Sequence, residues 1–263
     1  MLGQVETRTL PTGAPSRTAQ ARMLSRRGEP LLLSDWVNVL MVNLEVDPSA
    51  LQRATPFALD LFDGRAFVSL VFFTMRRMRP RRGGRLGEWL FRPIATHEFL
   101  NVRTYVQHAG EPGIHFLAEW LPNALSVQLG PGVFGLPYRL GKFHYHHDSA
   151  SGELGGQVID VGTGTRLAYH GNLDCGDSFA PCAADSFDEW LMERYTAFTN
   201  RGDRSRFFRV WHPPWPQVRA EVELDDNSLL RARWPWLAEG QAIGANYSPG
   251  FRDVWMGRPQ RTR

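Results

Sequence analysis

The amino-acid sequence predicts a mainly β fold of the α+β kind, a single domain with one or two helices. Three observations carry that expectation. Apolar and polar residues alternate over Glu98 to Val106 and over Val218 to Leu224, the period of a half-buried strand. Turn signals punctuate the apolar runs at Asp63-Gly64, Gly110-Glu111-Pro112-Gly113 and Gly162-Thr163-Gly164. Helix signals are few.

Residues 1–28, rich in Thr, Arg, Gly and Pro without periodicity, read as a flexible N-terminal arm. The domain is placed over 29–256. Its first strand runs from Leu31 to Val42, where aliphatic and aromatic residues mix. Asp47 caps a short helix with Pro48 at its first position, and the helix stops before Pro56. Asp63-Gly64 turns the chain from Leu59–Phe62 into Arg65–Met75. Six arginines from Arg76 to Arg85 follow, with Pro80 and two glycines, and read as a solvated basic loop. In the strand Glu98–Val106, Asn101, Arg103 and Tyr105 share one face, and Val102, Thr104 and Val106 share the other. That strand pairs with Ile114–Leu121. Leu125–Leu129 and Phe143–Tyr145 continue the β pattern, and Gln157–Val161 forms a hairpin with Arg166–His170. Ser186 with Glu189 matches a capping box for a helix whose Phe187, Leu191, Arg194 and Phe198 sit at helical spacing, ended by Asn200-Arg201-Gly202. Phe207–Trp211 is extended, and His212-Pro213-Pro214-Trp215-Pro216 is a rigid loop. After Trp236 the chain reads as loop, and 257–263 as a polar tail.

The composition is globular, with 43% apolar and 12% aromatic residues among 263. A net charge of +3 gives no argument for nucleic acid. Cys175 and Cys182 lack a Cys-x-x-Cys pairing and are read as free thiols of a reducing compartment. The first 28 residues hold no apolar signal-peptide core, and no apolar run reaches the length of a membrane span. A cytoplasmic protein without a membrane partner is expected. Nothing in the sequence calls for a cofactor, and an oligomer is left open.

The densest polar chemistry is Gly135 to His147, which holds Tyr138, Arg139, His144, His146, His147 and Lys142, the only lysine of the chain. Leu61-Phe62-Asp63-Gly64-Arg65-Ala66, Asn101–Val106 with Gly113-Ile114, Leu136-Pro137-Tyr138, Glu193-Arg194-Tyr195 and His212-Pro213-Pro214-Trp215 occur in an order that resembles the YqjF-like family of uncharacterised proteins. The resemblance covers roughly residues 30–225. That family falls in the acetoacetate decarboxylase superfamily, which implies a large curved β-sheet closing into a barrel-like cavity. The decarboxylase carries its Schiff-base lysine in a Tyr-Pro-Lys-Lys-Leu-Gly stretch, and the matching stretch here is Leu136-Pro137-Tyr138-Arg139-Leu140-Gly141. Tyr138 falls on the nucleophile, and Arg139 on the lysine that lowers its pKa. A phenol forms no imine, so decarboxylation by that route is not carried over.

The candidate catalytic residues are Tyr138, His212 and Lys142. Lys142 is either a relocated nucleophile or a surface lysine. Arg103, Arg139, Tyr105 and Glu98 are the candidate ligand-binding residues: an inward arginine clamps a carboxylate, and tyrosines add hydroxyl donors. A structural pairing of Arg103 with Glu98 or Glu119 stays open beside that role. His144 and His146 share a strand face but lack any recognised zinc spacing, so no metal is assigned. The expected function is binding of a small anionic ligand, of carboxylate or keto-acid type, in a central pocket. The alternatives are a non-catalytic interaction module built on Arg76–Arg85 and a lyase using Lys142.

Overall fold

The computed structural model describes residues 13–173, 176, 178–201 and 204–262. The helices are α1 (Ala14–Leu24), α2 (Pro48–Ala54), α3 (Gly84–Phe91), α4 (Ala124–Val133), α5 (Phe187–Met192), α6 (Ser228–Arg233) and α7 (Pro235–Ala238). The strands are β1 (Leu32–Val46), β2 (Ala58–Leu59), β3 (Ala66–Pro80), β4 (His97–His108), β5 (Glu111–Leu121), β6 (Tyr138–His147) and β7 (Glu153–Asp160). They continue with β8 (Arg166–Leu173), β9 (Thr196–Arg201), β10 (Arg204–Trp211), β11 (Val218–Asp226), β12 (Gln241–Met256) and β13 (Gln260–Arg261).

All thirteen strands form one curved sheet whose ladder closes twice. One path runs β5-β6-β7-β8-β11-β12-β1-β3-β4 and returns to β5; the other runs β5-β9-β10-β12-β1-β3-β4 and also returns. The five strands β12, β1, β3, β4 and β5 are common to both and form a shared wall. A wall with a core on each side must be apolar on both faces. Ala66 to Phe73 of β3 is accordingly buried without interruption. Leu40, Val42, Leu70, Phe72 and Trp120 face a packed core inside the first ring. Val39, Met41, Val71, Phe73 and Phe99 face a second cluster inside the other ring.

The mainly β architecture and several local signals agree with the sequence. Asp47 caps α2, its side chain accepting from the Ala50 N–H at 2.7 Å. Ser186 caps α5 in the same way through the Glu189 N–H. The β4–β5 and β7–β8 hairpins form as expected.

Other expectations are corrected. From Ala14 the expected arm is a helix with Ser16, Ala19 and Met23 buried; residues 1–12 lie outside the described part. Leu125–Leu129 is helical, because Asn123 caps α4 by accepting from the Ser126 N–H. The helix begun at Ser186 ends at Met192, and Phe198 lies instead on β9, packed on Phe57. Its proposed stop signal ends in Gly202, outside the described residues. The stretch after Trp236 holds β12, the longest strand, and the tail holds β13 on the edge of β10. Asp63-Gly64 makes only a local turn closed by a Phe62–Arg65 bridge, while β2 pairs with β4. The basic run is mostly strand and helix, since β3 continues to Pro80 and α3 starts at Gly84. Seven α-helices among the described residues exceed the one or two expected.

Candidate functional site

The second ring is not filled. It encloses a cavity of about 380 Å3, walled by β1, β3, β4, β5, β9 and β10 and closed at one end by α4. Its surface is mainly aromatic and aliphatic, with Phe73 and Phe99 stacked at 5.1 Å and Trp36 tilted against Phe73. A few polar groups interrupt it, the usual composition of a small-molecule site.

Arg103 is the main one. Strand period puts it on the cavity face of β4 with His97, Asn101 and Tyr105. It is 9% exposed and makes no ion pair among the described residues. Its Nη2 donates to the Leu191 carbonyl at 3.3 Å and lies 3.4 Å from the Met41 sulfur; its Nε has no partner. A buried cation in that condition is expensive unless an anion joins it.

Glu119 faces the cavity from β5, in register with Asn101 on β4 and Tyr138 on β6. Burial pushes its carboxyl well above the usual range, which favours the protonated form that can both donate and accept. Its Oε2 and the Asn101 Oδ1 are buried without partners. Tyr138 lies beside it, its phenol raised chiefly by burial. The Tyr138 ring rests on Gly130 of α4, where a Cβ would stand 2.2 Å from the ring.

His212 also lines the cavity at 2% exposure, stacked on Phe251 with Tyr195 and Trp215 tilted against it. Its Nδ1–H donates to the Pro213 carbonyl at 2.7 Å. Burial lowers it to about 4, with the nearby Arg103 charge acting the same way. The ring is therefore neutral near pH 7, with Nε2 as the unprotonated nitrogen. His97 is likewise lowered to about 4 by burial, and neither of its ring nitrogens meets a hydrogen-bond partner.

The remaining predicted residues fall elsewhere. Tyr105 is buried beside the cavity and bonds the Ser69 hydroxyl at 2.5 Å, continuing through Asn43, Asn246 and Gln217. Arg139 follows Tyr138 on β6 and so points to the other side of the sheet, where its charge lowers the pKa of Arg233. Glu98 is half-buried and off the cavity lining, with its charge felt by Tyr145. Lys142 is exposed on β6 and does not line the cavity. His144 and His146 are exposed too, and among the described residues no group of three or more His, Cys, Asp or Glu is placed to hold a metal. Cys182 is a buried thiol raised to about 12 by burial and nearby carboxylates. Cys175 lies outside the described residues.

Sequence reasoning missed His97 and Glu119 as cavity groups, while Arg194 anchors its helix through an ion pair as Glu193-Arg194-Tyr195 suggests. Arg194 also lines the cavity, but its charge is answered by Asp60 at 2.6 Å and its guanidinium lies 4.3 Å from the centre of the Trp190 ring. It ties the end of α5 to the sheet. Glu193 accepts from the Trp215 N–H at 2.8 Å and from the Tyr195 hydroxyl, which fastens the Pro-rich loop to the same end.

The profile of the DUF2071 family, described as an uncharacterized conserved protein, matches residues 34–251. The uncharacterized protein YqjF of Bacillus subtilis is 28% identical over 223 residues, covering 81% of this chain and 86% of that protein. Among solved structures, acetoacetate decarboxylase from Legionella pneumophila is similar with a TM-score of 0.58 and 13% identity, over 89% of this chain and 87% of that one. The enduracididine biosynthesis enzyme MppR, complexed with pyruvate, is similar with a TM-score of 0.61 and 13% identity, over 90% and 92% of the two chains. Identities this low show the fold, an acetoacetate decarboxylase-like one. Among the described residues, no helix is long and apolar enough to cross a membrane.

Proposed function

The chain belongs to the DUF2071 family, and on that footing we propose that its cavity binds a small organic anion with Arg103 as the counter-ion. The observation that carries this reading is a buried guanidinium with no carboxylate partner among the described residues, set in a mainly apolar chamber. The acidic residue of the lining, Glu119, makes no ion pair with it and is raised by burial, and the nearby Asp60 is paired with Arg194. A carboxylate entering the cavity gives Arg103 its missing partner and adds a charge-assisted hydrogen bond. The apolar walls suit an acid with a hydrocarbon or aromatic body. MppR, which has a similar fold, is complexed with pyruvate, an organic anion as well.

On this reading the ligand is held without an imine. Tyr138 stands at the position that the resemblance gives to the Schiff-base lysine, and Lys142 is exposed outside the cavity. If the ligand is a carbonyl compound, neutral His212 accepts a proton, Tyr138 or Glu119 donates one, and Arg103 stabilises developing negative charge.

The test is calorimetric titration with a series of monocarboxylic acids and their amides, on the parent and on Arg103→Met. We expect acids to bind and amides not to, and the variant to lose at least about tenfold in affinity. The variant should keep or raise its melting temperature, because an unpaired buried cation is replaced by an apolar side chain of similar shape. Unchanged acid binding in Arg103→Met sinks the reading. Borohydride reduction in the presence of keto acids should leave Lys142 unmodified. An adduct there, absent in Lys142→Arg, would restore the lyase alternative.

A further inference from the structure

Helix α3 is built inside out. Gly87 is its only buried residue and packs so closely on Pro80 that a Cβ would stand 2.8 Å from the proline ring. At 100° per residue, Gly87 and Phe91 share the side that faces the body. Trp89 points the other way, and Leu86, Trp89 and Leu90 are 67%, 66% and 60% exposed. A surface helix of a globular protein normally turns its apolar stripe inward.

The exposed face is not isolated. A 3-10 turn, Arg92–Ile94, joins α3 to the cavity wall, and the Asn123 amide donates to the Pro93 carbonyl at 2.7 Å, tying in the start of α4. On α4, Leu125, Leu129 and Val133 form a second exposed apolar stripe at i, i+4 and i+8. Leu129 and Val133 also line the cavity, as do Phe91 and Ile94. The apolar surface is therefore continuous with the cavity lining at this end.

Charge decides what covers it. Arg82, Arg85 and Arg92 border α3, are exposed, and make no ion pair among the described residues. Glu88 is the one acidic residue of the helix. Two copies of this face brought together by a two-fold axis would oppose their own arginines. A lipid surface with anionic headgroups complements them, while the leucines and Trp89 enter the headgroup–acyl boundary.

We propose that α3 and the outer stripe of α4 form an interfacial docking surface for anionic phospholipid membranes, which sets this end of the cavity against the bilayer. The proposal stands apart from the anion reading, since it concerns the outer face and not the occupant of the cavity.

The test is co-sedimentation of the full chain with vesicles of phosphatidylcholine alone and of phosphatidylcholine mixed with phosphatidylglycerol, with tryptophan emission recorded alongside. We expect at least about tenfold stronger binding to the anionic vesicles, weakened by salt. The double variant Trp89→Ala/Leu90→Ser should abolish binding with an unchanged melting temperature, because both residues are exposed. Arg82→Gln/Arg85→Gln/Arg92→Gln should remove the preference for anionic lipid. No binding to either vesicle overturns the proposal, as does binding indifferent to both variants. A dimer in gel filtration that Trp89→Ala/Leu90→Ser dissociates, without vesicle binding, assigns the face to a second copy of the chain instead.

Discussion

Two buried arginines a few residues apart in space are used in opposite ways. Arg194 is neutralised by Asp60 and lies over Trp190, so it is part of the frame. Arg103, near enough to lower the pKa of Arg194, has only a carbonyl and a thioether. Glu119 shows the same contrast among the acids, because burial alone raises its carboxyl. The folded state binds that proton well above 4.5, where the unfolded chain has released it. The Glu119 contribution therefore favours folding at low pH and is lost as the pH rises. Glu119→Gln keeps the hydrogen-bonding capacity without the ionisation. We expect it to be more stable than the parent by about 1–3 kcal/mol near pH 8, and by less near pH 5, in urea titrations.

Within single elements, α4 offers a controlled comparison. Gly130 and Gly132 lie in the same helix, but a Cβ at Gly130 meets the Tyr138 ring at 2.2 Å, whereas at Gly132 nothing stands within 4 Å. Gly132→Ala should stabilise the protein by about 0.5–1 kcal/mol through helix propensity. Gly130→Ala should destabilise it by about 1–3 kcal/mol through overpacking and displace Tyr138. Thermal melts of the two variants, with Tyr138 placed crystallographically, check both. Elements of this kind mark how far the sequence was legible. Strand period was enough to put Asn101, Arg103 and Tyr105 on one face of β4. It failed for Glu119, because β5 skips Leu117 in its pairing with β4. That irregularity puts Ile114 and Phe116, then Glu119 and Leu121, on the cavity side, so a count by twos from Ile114 aims Glu119 the wrong way. Strand β12 escaped notice because Gly244, Pro249 and Gly250 interrupt its pattern. Gly250 is needed there, since a Cβ would stand 1.9 Å from the Trp36 carbonyl. Arg139 was grouped with Tyr138 by proximity in sequence, while the pleat separates adjacent residues.

For the whole molecule, pH acts through several buried groups at once. His97, His147 and His212 are each lowered from 6.5 to about 4, chiefly by burial. The unfolded chain takes up those protons first, so this contribution to stability is lost as the pH falls from about 6.5 towards 4. Glu193, raised to about 7 by burial, works in the opposite sense, as Glu119 does. The histidines are the group to isolate. His97→Phe should gain about 2 kcal/mol relative to the parent on going from near pH 8 to near pH 5, as read from urea titrations. The shared wall has a consequence for how such a protein can change over time. Its residues belong alternately to a filled room and an empty one, so neighbours in sequence serve different ends. Losing or gaining one residue in the middle of β4 would carry Arg103 and Asn101 into the packed room and Leu100 and Val102 into the cavity. Point substitutions can retune the cavity while the other room stays intact, but an insertion or deletion in the wall keeps the rooms apart only where a bulge absorbs it, as at Leu117 of β5. Lineages of this fold should therefore vary in length at the turns, such as 162–164, and keep the spacing of the wall fixed.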